Sequence, residues 1–331
     1  MPQTSMVADD IPTQATTFFP TVSVIVPIYN GETDLPGLIE CLLNQTYPSN
    51  RVDYLLVDNG SCDRTPEILQ AAVTQAQTLG LTLKHLSETD IQSAYAARNT
   101  GIRTATGEIV AFTDADCYPA ATWLEHLVQG FQDSAVGLCV GEITALPGTT
   151  WLECYAERKN IMSQQDTLNH PFYPYGQTAN IAVRACVFEK IGLFRPHMTT
   201  GGDADICWRL QQGGWQLHYA ETAVVQHHHR TTLKELHKQW YRYGRSNRYL
   251  NQLHGVKLTR PLLPYEVRYS LARWLVKELP AGLIQLLRGN ADLLDLAMTP
   301  IGLYCFRART LGQRESKLPE NAAEIDWLER D

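Results

Sequence analysis

No stretch of this sequence is apolar for long enough to cross a bilayer as a helix. Such a span needs about 20 residues. The longest uncharged apolar runs toward the C-terminus are Leu279–Leu287 and Leu296–Phe306, so no helical crossing is expected. None of the eight cysteines forms a C-x-x-C pair, which argues against a zinc site or a dense disulfide framework. Reduced thiols in a cytosol are the simplest expectation. G-x-G-x-x-G is missing after the first strand and no P-loop is present, which speaks against a nicotinamide-dependent dehydrogenase and a P-loop enzyme. A basic excess is missing too: 28 Lys and Arg stand against 35 Asp and Glu, a net charge of −7, with no global sign of nucleic-acid binding. Met1–Pro20 lacks the basic start and apolar core of a secretory signal and is expected to be a loose tail. No internal repeat is visible.

What is present is alternation. Val22–Pro27, Val52–Val57, Leu81–Leu86 and 109–113 read as strands. Their continuous apolar runs fit strands covered on both faces. Between them lie a helix capped by Thr33 or Asp34 with Pro36 in its first turn, a helix capped by Thr65 and opened by Pro66, and a helix over 93–104. Strand following helix without a break implies a parallel sheet with right-handed crossovers. Beyond Pro119 the spacing predicts a helix from Thr122 through Phe131, a strand over 136–140, a helix over 151–165 and a loop over 171–176. A strand over 179–183, helices over 185–191 and from Gly201, and a hairpin or strand over 215–225 complete this half.

Three strand ends carry polar clusters: Tyr29-Asn30, Asp58-Asn59, and Asp114 with Asp116. In a parallel sheet these ends share one edge, where open α/β sheets bind ligands. Carboxylates there suit Mg²⁺ or Mn²⁺, which are often completed by substrate phosphates; turn formation alone would also place Asp at such ends. A second acidic pair, Asp203 and Asp205, opens a helix, where acids are also favoured for dipole reasons. His227, His228 and His229 follow the last strand.

Taken in order, these segments resemble family 2 glycosyltransferases with the GT-A nucleotide-sugar fold, from about Val22 to Tyr249. Val22-Ser-Val-Ile-Val-Pro-Ile-Tyr-Asn30 is similar to the opening strand. Leu42–Pro48 resembles the end of the first helix, and Val57–Thr65 the second strand end. Ala97-Arg-Asn-Thr-Gly101 resembles the donor-binding helix, and Asp114-Ala-Asp116 the D-x-D metal motif. The resemblance implies an α/β, mostly parallel sheet flanked by helices, with a C-terminal helical extension. It implies that Pro27, Tyr29 and Asp58 border the nucleotide, that Arg98 approaches it, and that Asn99 holds its helix to the site. Asp116, with Asp114 beside it, would take a divalent metal, Mn²⁺ or Mg²⁺. His227 and His229 resemble a segment in which one His completes the metal shell. Gly202-Asp203 stands where the family usually has Glu-Asp. Asp203 is therefore the expected base, with Asp205 the alternative. The Q-x-x-R-W motif of processive members is missing, which argues for transfer of a single sugar; a base on the side opposite the cation would make that transfer inverting.

The implied donor is a nucleoside-diphosphate sugar, UDP- or GDP-linked. The acceptor is a saccharide or a lipid-linked one, as in cell-surface polysaccharide or glycolipid synthesis. Two other readings stay open: a non-catalytic sugar or lipid-head-group module, and an Asp-x-Asp phosphohydrolase. The expected organisation is a tail over 1–20, a transferase domain over 21–230 (donor half 21–116, acceptor half 117–230), a helical basic and apolar extension over 231–315, and an acidic tail over 316–331. Between Arg230 and Arg260 eight Lys or Arg face one acid, Glu235. Leu233, Leu236, Trp240 and Tyr243 fall on one helical stripe there. A stripe of this kind beside basic residues suits peripheral docking on the cytoplasmic face of a membrane. The apolar surface of 262–306 could alternatively bury a homodimer contact.

Overall fold

The computed structural model describes residues 18–328; most of the expected N-terminal tail and the last three residues of the expected acidic tail lie outside them. The chain runs β1 (Val22–Ile28), α1 (Leu35–Leu43), β2 (Val52–Asp58), α2 (Thr65–Thr78), β3 (Thr82–Ser87), α3 (Ala94–Thr104), β4 (Ile109–Phe112), β5 (Cys117–Pro119) and α4 (Trp123–Leu127). It continues with β6 (Val136–Ala145), α5 (Trp151–Arg158), α6 (Gln164–Leu168), β7 (Ile181–Arg184), α7 (Ala185–Ile191), α8 (Gly202–Gln212) and β8 (Gln216–His227). Four helices close it: α9 (Leu233–His254), α10 (Pro264–Arg273), α11 (Leu279–Leu287) and α12 (Leu293–Glu315).

All eight strands join one sheet in the order β3-β2-β1-β4-β7-β6-β8-β5. The first four in that order are parallel. The pairs β4–β7, β6–β7 and β5–β8 are antiparallel, while β6 and β8 run parallel. The β1–β4 piece is thus the all-parallel one that the βα alternation requires, and the rest of the sheet is mixed. One apolar cluster lies under α1 and α2, with Val24, Val26, Leu38, Leu56 and Leu69. A second, with Ile25, Leu55, Val110, Phe112 and Phe194, lies under α3, α7 and α8. Alternate residues of β1 feed opposite clusters, which is the period-two rule for a strand buried on both faces.

Several expected boundaries shift for local reasons. The helix expected over 151–165 is two short ones, because Asn160 and Met162 turn between them with φ of 46° and 82°. The helix after Thr122 is only five residues long and passes into a 3₁₀ turn over Gln129–Gln132. The segment 215–225 is a single strand. Thr65 is the first residue of α2 rather than its cap; its Oγ1 accepts from Gly31 N at 2.9 Å and joins the first two strand-end loops.

The C-terminal helices pack back on the domain. On α9 the expected stripe is largely covered: Leu236 is buried, Trp240 packs against it, and only Leu233 is exposed. Helices α9 and α12 cross with their backbones in contact. A Cβ at Gly244 would sit 1.9 Å from the Arg309 carbonyl oxygen, and one at Gly312 would sit 2.0 Å from that of Tyr241. Pro300 lies inside α12 and cannot donate to Leu296. The Trp274 indole N–H donates to the Leu296 carbonyl instead, at 2.7 Å, anchoring the α10–α11 rod. Residues 316–328 are not a free acidic tail. Ala322 is fully buried, Leu193 N donates to the Asp326 carbonyl at 2.7 Å, and the Asp326 carboxylate accepts from Asn99 Nδ2 at 3.0 Å and from Arg103.

Candidate active site

The parallel register sets Ile28 opposite Asp58 and Phe112 opposite Ile25, so the loops after β1, β2 and β4 leave the sheet on one edge. A cleft of about 1030 Å³ opens there. Its near wall includes Pro27, Tyr29, Asn30, Asp34, Arg98, Asp114 and Asp116. Asn30 takes a left-handed φ of 50°, and its Oδ1 accepts from Cys62 N at 2.9 Å while its own N–H donates to Ser61 Oγ at 2.9 Å. Asn59 Nδ2 bridges to the Glu88 and Ile91 carbonyls, both at 2.9 Å. The loops are thereby tied together, and Tyr29 is left 52% exposed on the cleft.

Helix α3 carries Arg98 into this wall. The guanidinium is nearly buried, and Nη2 donates to Asp114 Oδ1 at 2.5 Å. The Tyr95 and Phe194 rings lie beneath it at 5.6 and 5.9 Å, and its Nε has no protein partner. Asn99, on the same helix, does not line the cleft. It holds the Phe194 backbone instead, donating to the carbonyl at 2.8 Å and accepting from the N–H at 3.0 Å. Asp58 is buried behind the wall and accepts from Ser61 N at 3.1 Å.

Asp116 meets His227 because of strand register. Cys117 on β5 pairs with His227 on β8, and His228 N donates to the Asp116 carbonyl at 3.3 Å. Asp116 Oδ2 lies 3.4 Å from His227 Nε2 and 3.4 Å from Arg230 Nη2. Burial opposes ionisation of Asp116, but the His227 hydrogen bond and the charges of His227 and Arg230 hold its carboxyl well below the ordinary carboxylate value. β8 ends at His227, and the three histidines part from there. His227 lines the cleft, while His228 turns away to Glu153 at 3.2 Å. His229 is buried outside the cleft lining, its Nε2 without a partner.

No group of three His, Cys, Asp or Glu side chains is gathered for a metal among the described residues. Asp116 and His227 nonetheless present a carboxylate oxygen and an imidazole nitrogen to the same cleft, and His227 Nδ1 is buried without a partner. Two protein donors on a cleft wide enough for phosphates fit a divalent cation that completes its shell with substrate oxygens.

Asp203, on the first turn of α8, also lines the cleft. Its Oδ1 accepts from Thr178 Oγ1 at 2.8 Å. Burial pushes its pKa up and Asp114 adds to the rise, against the pull of Arg98, Thr178 and Arg242. A carboxylate held above its ordinary value in a cleft is suited to taking a proton. Gly202 beside it admits no side chain: a Cβ would lie 2.6 Å from Tyr95 ring atoms, and Gly202 N donates to the Tyr95 hydroxyl at 2.9 Å.

Asp205 is elsewhere. Fully buried and absent from the cleft lining, it accepts from Arg195 Nε at 2.9 Å and Arg209 Nε at 3.0 Å and meets His254 Nε2 at 2.9 Å. Of the sequence candidates, Pro27, Tyr29, Arg98, Asp114, Asp116, Asp203 and His227 come together on the cleft, and Asp58, Asn99, Asp205 and His229 stand behind it. Residues that sequence reasoning did not place there include Asp34, Tyr95, Thr178, Arg230, Arg242 and Arg309. Asp34 was legible only as a helix cap, and Arg230 and Arg242 only as charge within a basic segment.

The family model for glycosyl transferase family 2 matches residues 23–191, and that for glycosyl transferase family group 2 matches 109–306. Glycosyltransferase AglE of Haloferax volcanii is 34% identical over 263 residues, 79% of this chain and 82% of the relative. Pre-mycofactocin glycosyltransferase of Mycobacterium tuberculosis is 29% identical over 268 residues, 79% of this chain but 53% of that protein. Among solved structures, the mannosyltransferase PcManGT from Pyrobaculum calidifontis, in complex with GDP-Man and Mn²⁺, superposes with a TM-score of 0.63 at 21% identity, covering 91% of this chain and 89% of the other. At that identity the likeness is one of fold.

Proposed function

The chain belongs to glycosyl transferase family 2, and from that premise we propose that it transfers a single sugar from a nucleoside-diphosphate sugar to an acceptor hydroxyl, with inversion. The observation that carries this reading is that one cleft is lined both by Asp116 with His227 and, from a different element, by the raised-pKa Asp203.

In this mechanism the nucleotide lies along Pro27 and Tyr29, and Arg98 faces its phosphates. Asp116 and His227 would hold the divalent cation, Mn²⁺ or Mg²⁺. When bound, such a cation supplies Lewis-acid stabilisation to the departing diphosphate. Asp203 takes the proton from the acceptor hydroxyl. The acceptor oxygen bonds to the anomeric carbon, and the bond from that carbon to the β-phosphate oxygen breaks with its electron pair staying on the nucleoside diphosphate. Attack from the face opposite the leaving group inverts the centre. Thr178 orients the Asp203 carboxylate, and Tyr95, beneath Arg98 and accepting from Gly202 N, holds α3 to the start of α8.

A GDP- or UDP-linked donor is supported by the GDP-Man bound to PcManGT and by the UDP-GlcNAc bound to a second fold neighbour, TarS of S. aureus, at a TM-score of 0.51. For the acceptor side we infer peripheral contact with the cytoplasmic face of a membrane, through α10 and α11 rather than α9. Val276 and Leu287 are 77% and 88% exposed, and Tyr265, Tyr269, Leu275 and Ile284 are exposed beside them. Among the described residues no helix is long and apolar enough to cross a membrane. The site is read as serving synthesis of a surface polysaccharide or glycolipid.

The test is a panel of nucleotide sugars with Mn²⁺. A donor that binds the native state raises the melting temperature, and release of its nucleoside diphosphate should accelerate when an acceptor is added. A non-catalytic module would bind without release, and a phosphohydrolase would release phosphate regardless of acceptor.

A further inference from the structure

The far end of the cleft is built by the C-terminal helices, and it holds a cation that the protein does not neutralise. Arg309, on α12, lines the cleft. Arg98 pairs with Asp114, Arg195 and Arg209 pair with Asp205, and Arg230 approaches Asp116. Arg309 makes no such pair among the described residues. With the Asn247 carboxamide oriented to satisfy both its ends, its oxygen accepts from Arg309 Nη2 and Nε at 3.0 and 3.1 Å, leaving Nη1 without a described partner. The surroundings are Tyr175 and Tyr243, and burial pulls the Arg309 pKa down. Arg309 is half-buried, and a guanidinium that lines a cleft with no counter-charge suits a ligand that supplies one.

The position of Arg309 is fixed, because its own carbonyl abuts Gly244 at the α9–α12 crossing. It lies on the Asp203 side of the cleft: Arg242, on α9, acts on both Asp203 and Tyr243, and Tyr175 feels Asp203 as well as Arg309. One turn before Arg309 on the same helix face is Phe306. That ring also lines a separate apolar groove of about 330 Å³ between α10 and α12, with Leu262, Val267, Leu271, Leu303 and Leu311. Phe306 is therefore a wall shared by the charged end of the cleft and the apolar groove.

Resting on the transferase reading above, we propose that Arg309 binds a phosphate-type anion of the acceptor and that the groove beyond Phe306 takes an apolar chain attached to that phosphate. The acceptor is then an ester of a single-chain lipid phosphate, whose head group carries the attacking hydroxyl. The guanidinium supplies paired N–H donors to phosphate oxygens, and charge and apolar surface are adjacent in the order such a molecule presents them.

The experiment measures calorimetric affinity of the full chain for decyl phosphate, inorganic phosphate and decyl glucoside, each in the presence of Mn²⁺ and a saturating nucleoside diphosphate. Wild type should bind decyl phosphate at least tenfold more tightly than either of the others. Arg309→Met should lose at least tenfold for decyl phosphate and Arg309→Lys should recover part of it, while affinity for the nucleoside diphosphate stays the same. Because the substitution removes an unpaired half-buried charge, the melting temperature of ligand-free Arg309→Met should hold or rise. Phe306→Asp should bring decyl phosphate down to the inorganic phosphate value. Equal binding of decyl phosphate by wild type and Arg309→Met, or no preference for it over decyl glucoside, overturns the proposal. Loss of nucleotide affinity in Arg309→Met also overturns it, since the residue would then belong to the donor. Preference for inorganic phosphate overturns the chain assignment. Failure of wild type to bind any nucleoside diphosphate in the separate donor titration counts against the transferase reading itself.

Discussion

Replacing Asp203 and Asp205 by asparagine, one at a time, separates a chemical carboxylate from a structural one two residues away. Asp203 faces the cleft with one hydrogen bond, from Thr178. An asparagine oxygen still accepts that bond, so the fold and donor binding should persist. What disappears is the proton acceptor, and a general base typically contributes about 10²–10⁴-fold to turnover. Asp205 sits among Arg195, Arg209 and His254 at 2.9–3.0 Å with no exposed surface. Its neutralisation leaves buried cations uncompensated, at a cost of about 3–5 kcal/mol. At about 2.1 cal/mol/K of unfolding entropy per residue, a chain of 331 residues shifts by roughly 1.5 °C per kcal/mol, and melting should fall by roughly 4–8 °C. The two also differ in pH dependence. Burial raises the Asp203 pKa, so turnover should fall on acidification before an ordinary carboxylate, near 3.8, would begin to protonate. For Asp205 burial is outweighed by His254 and the two arginines, and its pKa drops to about 2. A depressed carboxylate stabilises the fold above its unfolded value and loses that contribution as pH falls toward 2. The assay pairs thermal melts with initial rates of nucleoside diphosphate release. An Asp205→Asn protein that melts like wild type yet turns over as poorly as Asp203→Asn would refute the assignment of the two roles.

Three further outcomes are expected. Asp116→Ala should abolish the Mn²⁺-dependent part of nucleoside diphosphate affinity in calorimetry; unchanged affinity would remove Asp116 from the cation. Gly244→Ala should destabilise the protein by about 1–3 kcal/mol, because its Cβ would sit 1.9 Å from the Arg309 carbonyl; a denaturant midpoint equal to wild type would show that the helices separate freely. Anionic vesicles should float the protein at low salt, with release as salt rises, and Val276→Glu with Leu287→Glu should weaken flotation where Leu233→Glu does not; a stronger effect at Leu233 would return the contact to α9.

The donor half was legible because its information is local. Val22–Ile28 and Val52–Asp58 are apolar runs closed by turn residues, and a parallel register converts their ends into a shared edge without further detail. The acceptor half was harder to read. The meeting of Asp116 with His227 depends on a three-residue strand, Cys117–Pro119, pairing with a strand about a hundred residues later, and three residues carry no periodicity. The difference between Asp203 and Asp205 was equally hidden. Both open one helix, and only the places of Arg195 and His254, supplied by other elements, decide which carboxylate is enclosed. On α9 the apolar spacing was real, but periodicity reports a buried face without saying what buries it; the cover is α5 and α12 of the same chain.

The return of Asp326 to α3 bears on how the molecule comes to be assembled. Asn99 and Asp326 are separated by 227 positions, among the longest loops this chain can close, and closure of that kind is slow and late. During synthesis the sheet edge and its strand-end loops can form while the helix presenting Arg98 still lacks its final tether. The wall that carries Arg98 is therefore begun by β1 to α3 and tied by a segment 227 positions further along. A substitution near residue 326 therefore acts on α3, a helix far from it in sequence.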